Sequence, residues 1–348
     1  MALHPSLAAV RRGVRRSLEE LGAGETVLVA CSGGPDSLAL LSATLFEARK
    51  RRVRVVGATV DHGLQEGSAA HADAVVVQMA GLGVDETAAA RVQVDPAGIG
   101  PEAAARRARY AVLEQMREHF GAALVLLGHT RDDQAETVLL GLTRGSGARS
   151  LAGMRRGFDH YRRPLLDVAR DDTVTACHVE GIRFWDDPHN SDPGYTRVRV
   201  RQRVLPVLEE ELGPGVAATL ARTADQVRDD VEALDALADA AFARLREAGD
   251  EADELALPVP GLRAEHRAVA TRVLRRAAVE AGAIDGELFH VHVTALLDLA
   301  TAAISGEVQL PGHLSAVRAG GAVRFRRTGV VGGPGDGTAG RSGDDAGT

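Results

Sequence analysis

An apolar strand, a turn of small residues and a helix follow one another near the N-terminus, and this succession restricts the fold more than any other feature. The strand is predicted over residues 26–30 and the helix over residues 37–48. Backbone N–H groups in such a turn can approach an anion closely, because the side chains around them are small. The first turn of the helix adds unpaired N–H groups and a partial positive charge. A phosphate-binding loop is therefore predicted, formed by Ser32, Gly33, Gly34, Pro35, Asp36 and Ser37.

Asp36 is an acid placed beside the expected anion, which is unfavourable unless a divalent cation lies between them. The loop thus predicts a nucleotide phosphate together with Mg²⁺. The alternative is a glycine-rich connection that binds nothing, but six consecutive residues of this kind after a strand favour phosphate binding. A Walker A loop is excluded, because it needs a lysine before Ser or Thr and Lys50 is the only lysine of the chain.

Apolar runs alternate with helical patterns through the N-terminal half. This alternation predicts an α/β fold, with a doubly wound and mostly parallel sheet that binds ligands at the carboxyl ends of its strands. An amphipathic helix precedes the first strand, with Leu7, Val10, Val14 and Leu18 on one face. Strands are predicted at 26–30, 53–60, 87–94 and 123–127, and helices at 37–48, 71–79, 101–120, 132–142 and 173–180.

The pattern changes beyond residue 195, where helices are predicted at 196–212, 215–248, 264–281 and 288–302. Two short strands are predicted near 308–310 and 322–326. We therefore expect a nucleotide-binding domain at 1–208 and a second, mostly helical domain at 209–328. The last residues, 329–348, are rich in Gly, Asp and Ser without an apolar anchor, and we expect a disordered tail there.

Composition excludes several classes of protein. No apolar stretch reaches the ~18 residues that a membrane helix needs, and the N-terminus has no apolar core of a secretory signal. Cys31 and Cys177 are the only cysteines and form no disulfide framework or Cys-x-x-Cys site, which predicts a cytoplasmic protein. The net charge of −7 argues against non-specific nucleic-acid binding by the whole molecule.

Arginines are nevertheless concentrated in one part of the chain. A local basic strip on an acidic protein fits a specific polyanionic partner, and a solvated arginine-rich loop is an equal alternative. Arg197 and Arg201 lie on one helical face and could grip phosphates of a nucleic-acid backbone, or could be solvated. The strip comprises Arg144, Arg149, Arg155, Arg156, Arg162 and Arg163, followed by Arg197, Arg199, Arg201 and Arg203.

Two further motifs follow predicted strands. Asp61 and His62 come directly after the second strand and could contact a nucleotide base or ribose, although by themselves they favour a simple turn ended by Gly63. After the fourth strand comes the segment from Gly128 to Thr137, which contains a histidine and three acids.

In this second motif Asp133 and Glu136 share one helix face that points to the same crevice as the phosphate loop. Asp133 could share Mg²⁺ with Asp36, or hold a cationic substrate together with Glu136. Capping by Asp132 is the alternative. It explains one acid, but not His129 and the other two, so the segment favours function.

The phosphate loop resembles that of the PP-loop, or N-type ATP pyrophosphatase, superfamily. Taken with the later motifs, the chain resembles the tRNA(Ile)-lysidine synthetase family, in the shorter form that lacks an additional C-terminal domain. The matching segments are 32–37, 60–64, 102–110, 128–137, 144–147, 163–166 and 187–201, continuing to Leu205 and Pro206.

The resemblance implies that ATP with Mg²⁺ adenylates the C2 oxygen of the first anticodon cytidine of tRNA(Ile) with a CAU anticodon. The ε-amino group of free lysine then displaces AMP. It also implies roles for single residues: Asp133 and Glu136 at the lysine ammonium or as the second metal contact beside Asp36, His129 near the reacting phosphate, and Arg201 at phosphate or tRNA. A homodimer is a further expectation from the family.

The chain departs from the family pattern at three places, which are Gln65, Val198 and His189. None lies in the phosphate loop, so the departures concern contacts with tRNA. The alternative function is another PP-loop enzyme that modifies tRNA, such as a thiolase. Sulfur transfer usually requires paired cysteines or an iron–sulfur cluster, which two isolated cysteines support poorly.

Overall fold

A six-stranded sheet forms the centre of the N-terminal part of the chain. The computed structural model describes residues 3–61, 63, 67–92, 101–144, 147–186, 191–248, 255–301 and 306–328. The strands are β1 Thr26–Ala30, β2 Arg54–Asp61, β3 Glu86–Arg91, β4 Ala122–Leu126, β5 Gly157–Phe158 and β6 Tyr161–Arg162. Their order in the sheet is β3-β2-β1-β4-β6-β5. Five of these strands are parallel, and β5 runs antiparallel to β6.

Helices cover both faces of this sheet. Successive residues of a strand point to opposite faces, so Val27 and Val29 of β1 pack into one core cluster and Leu28 into another. The helices are α1 Pro5–Leu18, α2 Pro35–Arg51, α3 Ser68–Leu82, α4 Pro101–His119, α5 Arg131–Arg144, α6 Ala148–Leu151 and α7 Arg170–Val179. Helices α1, α2, α3 and α7 contribute to the first cluster, and α4 contributes to the second. The predicted apolar face of α1 is confirmed, because all four of its residues are buried.

The order of the strands places a crevice at the ends of β1 and β4. From β1 the chain continues to β2 and β3 on one side, whereas β4 lies on the other side of β1. Two neighbouring parallel strands whose connections leave in opposite directions open a gap at their carboxyl ends, where ligands bind in sheets of this kind. The loop after β1 and the segment after β4 both lie there.

The chain divides into two compact units, Met1–Asp229 and Asp230–Thr348. The first unit continues through α8 Thr196–Arg199, a π-helical turn at Val200–Val204, and α9 Leu205–Leu212. The division falls within the long helix α10 Val216–Leu245. The boundary at residue 208 stays a prediction, and the expected tail at 329–348 lies outside the described residues.

The second unit contains a five-stranded antiparallel sheet besides its helices. The strands are β7 Glu247–Ala248, β8 Leu255–Pro258, β9 Glu307–Leu310, β10 Leu314–Ala319 and β11 Ala322–Arg327; the helices are α11 Val259–Ala264, α12 Arg267–Glu280 and α13 His290–Thr301. The order of the strands in the sheet is β7-β8-β11-β10-β9, and the three helices pack against the sheet in one apolar core.

Most predicted elements of the first unit are confirmed to within a few residues. Two differences from the predictions are informative. Helix α7 begins at Arg170, three residues before the predicted start. The second unit has five strands where two were predicted, because short strands such as β8 carry too few residues to show a period. In the described part of the chain, no helix combines the length and the apolar character that crossing a membrane requires.

The packing of α1 gives a test of the fold. A methyl group on Gly13 would lie 2.2 Å from the carbonyl oxygen of Pro164, which belongs to the backbone and cannot move away cheaply. Gly13→Ala should therefore destabilise the protein by about 1–3 kcal/mol. Gly81 in α3 has nothing within 4 Å of such a methyl group, so Gly81→Ala should stabilise by about 0.5–1 kcal/mol. Urea unfolding of the two variants measures both effects; a neutral Gly13→Ala would contradict this packing of α1.

Candidate active site

The hydroxyl group of Ser37 connects the two ends of the phosphate loop by hydrogen bonds. The backbone N–H of Ser32 donates to the Oγ of Ser37 at 3.1 Å, and this Oγ donates to the carbonyl of Gly34 at 2.9 Å. Gly33 has a φ of +82°, a conformation that residues with a side chain rarely adopt. No side chain caps the start of α2 at Gly34. The first-turn N–H groups of α2 therefore have no side-chain cap that an anion would have to displace.

The segment after β4 lies directly against this loop. A methyl group on Gly128 would come within 3.1 Å of the Cα and N of Ser37 and 3.2 Å of the carbonyl carbon of Asp36. A side chain at this position would require the backbone at Asp36 and Ser37 to shift by a few tenths of an ångström. The close approach sets the residues that follow, from His129 to Glu136, beside the start of α2.

One guanidinium group joins the acids of the two segments. Arg170 at the start of α7 donates from Nε to Asp36 at 3.3 Å and from Nη2 to Asp133 at 2.8 Å. Its Nη1 lies 3.8 Å from Glu136. The sequence predicted that Asp36 and Asp133 lie close together, and both contact the same cationic group. Arg170 was not predicted.

A second arginine neutralises the innermost acid. Arg201 donates to both oxygens of Glu136, at 2.6 Å from Nε and 3.1 Å from Nη2, and its Nη2 also lies 3.4 Å from Asp133. The side chain of Glu136 is fully buried. A planar guanidinium that donates twice to one carboxylate holds it in a fixed orientation. The π-helical turn at 200–204 is the local structure that carries Arg201.

Smaller polar groups support this cluster. The hydroxyl of Thr173 donates to Asp36, and Asp132 accepts from the backbone N–H of Arg170 at 2.8 Å. The capping role that was an alternative for Asp132 is therefore present, although it caps α7 rather than its own helix. Asp133 accepts from the backbone N–H and the hydroxyl of Thr130, at 2.8 Å and 3.0 Å.

The acids differ in the direction in which their pKa values are shifted. Burial raises the pKa of Asp36 against the opposing effects of Arg170 and Thr173. Burial likewise raises the pKa of Glu136 against Arg201. Burial acts the same way on Asp133, but Arg170 and the N–H of Thr130 outweigh it and hold its pKa below the usual value. Asp133 is thus the acid that most readily keeps a negative charge.

His129 is neutral at physiological pH. Its pKa is lowered to about 4, mainly by burial; the positive charges of Arg163, Arg106 and Arg197 also lower it, and Asp133 acts in the opposite direction. Its Nδ1 is buried and makes no hydrogen bond within the described part of the chain; the same holds for the Nη1 of Arg170 and the Nε of Arg197. Buried polar atoms without hydrogen bonds are uncommon, and these three remain available to a bound water, ion or ligand.

The motif after β2 forms a turn, which was the alternative to contact with a nucleotide. Asp61 accepts from the backbone N–H of Gly63 at 2.8 Å and lies 3.5 Å from Arg91. His62 lies outside the described residues, as do Gln65 and residues 187–190. The predicted contact of Asp61 and His62 with a nucleotide stays a prediction.

Several arginines of the strip form ion pairs or hydrogen bonds with other residues of the protein. Arg156 pairs with Asp167 and Asp225, and Arg162 pairs with Glu20. Arg163 is buried and donates to the hydroxyl of Tyr110 at 3.0 Å. Nothing in the sequence distinguishes these arginines from solvated ones, because their partners lie far away along the chain.

Arg170 and Thr173 are the residues that sequence reasoning missed. They lie outside every motif, at the start of a helix whose beginning was predicted too late. The available signal was the pair of acids after Arg170, since Asp171 and Asp172 are typical of a first helical turn. That signal locates the helix, but it does not reveal which side chains the helix turns towards the crevice.

The described residues contain no group of three or more His, Cys, Asp or Glu side chains that could hold a metal. Asp36 Oδ2 and Asp133 Oδ1 nevertheless converge on one cation, the guanidinium of Arg170. Mg²⁺ in nucleotide sites is commonly held by one or two carboxylates together with phosphate oxygens and water. Two convergent carboxylate oxygens beside a phosphate loop fit that donor set.

Comparison with known proteins agrees with this geometry. A family model described as a PP-loop domain matches residues 8–208. The tRNA(Ile)-lysidine synthase of Thermobifida fusca is 54% identical over 297 residues, which cover 85% of this chain and 90% of that protein. The tRNA(Ile)-lysidine synthase of Streptomyces coelicolor is 48% identical and is covered completely, with 94% of this chain aligned.

A solved structure resembles the chain in fold. The U34-tRNA thiolase NcsA from Methanococcus maripaludis, determined with its 4Fe–4S cluster, has a TM-score of 0.53. The match covers 64% of this chain and 79% of that one at 19% identity. Identity at this level concerns the fold alone.

Both cysteines should be inert in the native protein. Cys31 and Cys177 are buried; burial raises the pKa of Cys31, and burial together with Asp36 raises that of Cys177 to about 12. The thiols are therefore protonated at neutral pH, and thiolates are the reactive form. Dithiobis(nitrobenzoate) should label neither thiol within minutes in native buffer and both in urea. Rapid labelling of the native protein would contradict the burial and restore sulfur chemistry as an option.

Proposed function

This chain belongs to the tRNA(Ile)-lysidine synthase family, whose members are ATP-using carbon–nitrogen ligases of tRNA modification, and we propose the following assignment of its site to that reaction. The nucleophile is the ε-amino group of free lysine, and the acceptor is C2 of the first anticodon cytidine in a tRNA(Ile) with a CAU anticodon. The observation that carries the proposal is the convergence of Asp36 and Asp133 on one cation beside the phosphate loop.

The reaction needs an activated oxygen, because the C2 oxygen of cytosine is a very poor leaving group. In the first step this oxygen attacks the α-phosphate of ATP, the bond to the β-phosphate breaks, and diphosphate leaves. In the second step the lysine amine attacks C2, the bond to the adenylated oxygen breaks, and AMP leaves with the electron pair. The proposed roles below follow these two steps.

The phosphate loop, residues 32–37, binds the phosphates of ATP in this proposal. It contains no lysine. Neutralisation therefore comes from backbone N–H groups, from arginines and from the metal ion. The unbonded Nη1 of Arg170 and Nε of Arg197 are buried donors beside the acids and suit phosphate oxygens.

Asp36 and Asp133 would hold Mg²⁺. The ion supplies compensation for the charge that develops on the departing diphosphate. Asp133 suits a metal ligand, because it is the acid whose pKa is held below the usual value. Arg170 occupies the position between the two carboxylates in the free protein and keeps them from repelling one another.

Glu136 and Asp133 would receive the ammonium group of lysine before it loses its proton. The three acids face three arginines within 4 Å, Arg170, Arg197 and Arg201. The lysine ammonium would therefore take the place of a guanidinium contact at these carboxylates. Arg201 acts on Glu136 by fixing its orientation, and neutral His129 presents an unbonded Nδ1 that can accept a proton or donate a hydrogen bond to phosphate.

The fold suits a thiolase equally well, but the cysteines do not. Cys31 and Cys177 are buried, and the pKa of each is raised. Free reduced cysteines agree with a cytoplasmic protein, which we propose as its location. A homodimer stays a prediction from the family.

Asp36→Asn should abolish adenylation while the fold remains intact. The amide keeps the shape of the carboxylate but removes the charge that holds the metal, so tRNA-dependent ATP–pyrophosphate exchange should fall by about 100-fold or more. Asp159→Asn is the matched control, because Asp159 is exposed in a turn with a φ of +45° that Asn tolerates. Exchange at the wild-type rate in Asp36→Asn would remove Asp36 from the mechanism. Exchange in the wild type without incorporation of labelled lysine would point to a different nucleophile.

Arg170→Gln should uncover the metal site in the absence of ATP. Without the guanidinium, Asp36 and Asp133 repel one another and bind Mg²⁺ more tightly, so Mg²⁺ should raise the melting temperature of the variant more than that of the wild type. At ten times its Kd the ion stabilises by about 1.4 kcal/mol. The double variant Arg170→Gln, Asp133→Asn is the control and should lose this response. Equal responses of wild type and single variant would contradict the assignment.

A further inference from the structure

We propose that His71 and Trp185 form a clamp that fixes the orientation of the phosphate loop from its outer side. The inference rests on the proposed function, since it assumes that this loop binds the phosphates of ATP. His71 lies on α3, and Trp185 lies in the segment after α7. Neither residue belongs to any sequence motif that pointed to function.

Two successive carbonyl groups of the loop accept hydrogen bonds from the clamp. The Nε2 of His71 lies 3.0 Å from the carbonyl oxygen of Ser32. A carbonyl oxygen only accepts, so the hydrogen of the imidazole must be on Nε2. The backbone N–H of Trp185 donates to the carbonyl oxygen of Gly33 at 3.0 Å.

The orientation of these carbonyls determines where the next N–H groups point. In a trans peptide the C=O of one residue and the N–H of the next point in opposite directions. Holding the carbonyls of Ser32 and Gly33 towards the clamp therefore turns the N–H groups of Gly33 and Gly34 away from it.

The clamp is itself held in place. The rings of His71 and Trp185 lie 3.9 Å apart at an interplanar angle of 37°. Gln78 of α3 donates to the carbonyl of Arg183, and Phe184 packs against the core. A methyl group on Gly33 would lie 2.7 Å from Val75 and 3.1 Å from His71, so the loop and α3 are in direct contact. The two side chains thus connect the loop to a rigid helix.

A phosphate loop that contains no lysine depends strongly on the orientation of its backbone. Its contribution to anion binding comes from N–H dipoles, whose effect depends on direction, whereas a lysine ammonium acts as a point charge. Gly33 and Gly34 lose much conformational freedom when they are ordered. A clamp that orders them before ATP arrives removes that cost from binding.

Trp185 also provides the means of testing this idea, because it is the only tryptophan of the chain. Its side chain is 37% exposed, and its backbone bonds directly to the loop. The intrinsic fluorescence of the protein therefore reports on the environment of this one residue. We expect MgATP to change the emission, with a midpoint equal to the Kd measured by calorimetry.

The two substitutions His71→Leu and His71→Gln separate the hydrogen bond from packing. Leucine cannot donate to Ser32, so the Kd of MgATP should rise about 2- to 10-fold, the value of one hydrogen bond. The Nε2 of glutamine can replace that of histidine and should keep the Kd within about twofold. The KM for lysine should be unchanged in both. His160→Leu, at an exposed histidine in a turn, is the matched control and should bind as the wild type.

Trp185→Ala and Trp185→Phe give a second pair that does not depend on the stability of the His71 variants. Both keep the backbone N–H, but only phenylalanine keeps a ring against His71. Alanine should raise the Kd of MgATP about 2- to 5-fold, and phenylalanine should leave it within about twofold. Melting temperatures show whether each variant is folded.

The outcomes distinguish this inference from the function on which it rests. If wild-type protein binds no MgATP in calorimetry, the proposed function of the loop is wrong. If the wild type binds and His71→Leu binds equally well, the clamp is wrong and the function stands. Equal weakening by leucine and glutamine would also overturn the clamp, because the effect would then not pass through the hydrogen bond to Ser32.

Discussion

Three carboxylates lie side by side at the carboxyl ends of β1 and β4, and the guanidinium of Arg170 is what lets them do so. Asp36 comes from α2 and Asp133 from α5, so repulsion between them would push the two helix starts apart. Arg170 contacts both, and Arg201 neutralises Glu136 behind them. The geometry of the crevice thus depends on arginines from two later helical segments.

The phosphate loop and the acid cluster lie side by side and favour ligands of opposite charge. Backbone N–H groups of the loop attract phosphate, and the carboxylates attract cations. The close contact between Gly128 and the backbone of Ser37 brings the two segments together. In the proposed reaction the loop would receive the metal-bound triphosphate and the acids would receive the amine.

Much of the first unit follows from sequence alone. Strands covered on both faces are continuous apolar runs, so β1, β2 and β4 could be predicted within a residue or two, and their alternation with helices predicted the doubly wound sheet. Short strands were different: β5 and β6 have two residues each, and β8 has four. A period of two cannot be recognised in so few residues, and their pairing depends on partners distant in the chain.

The residues of the candidate active site also fall into two groups, those that the sequence predicted and those that only the structure revealed. The sequence determined which residues surround the crevice after β1 and β4, because small residues and acids directly after buried parallel strands are typical of the sheet edge where ligands bind. Only the tertiary structure decided that Arg170 and Thr173 join Asp36, and that His71 and Trp185 meet beside the loop. These contacts connect segments up to 137 residues apart. A local pattern reveals the backbone that a residue prefers, whereas the partner of a side chain is set by how helices pack on the sheet.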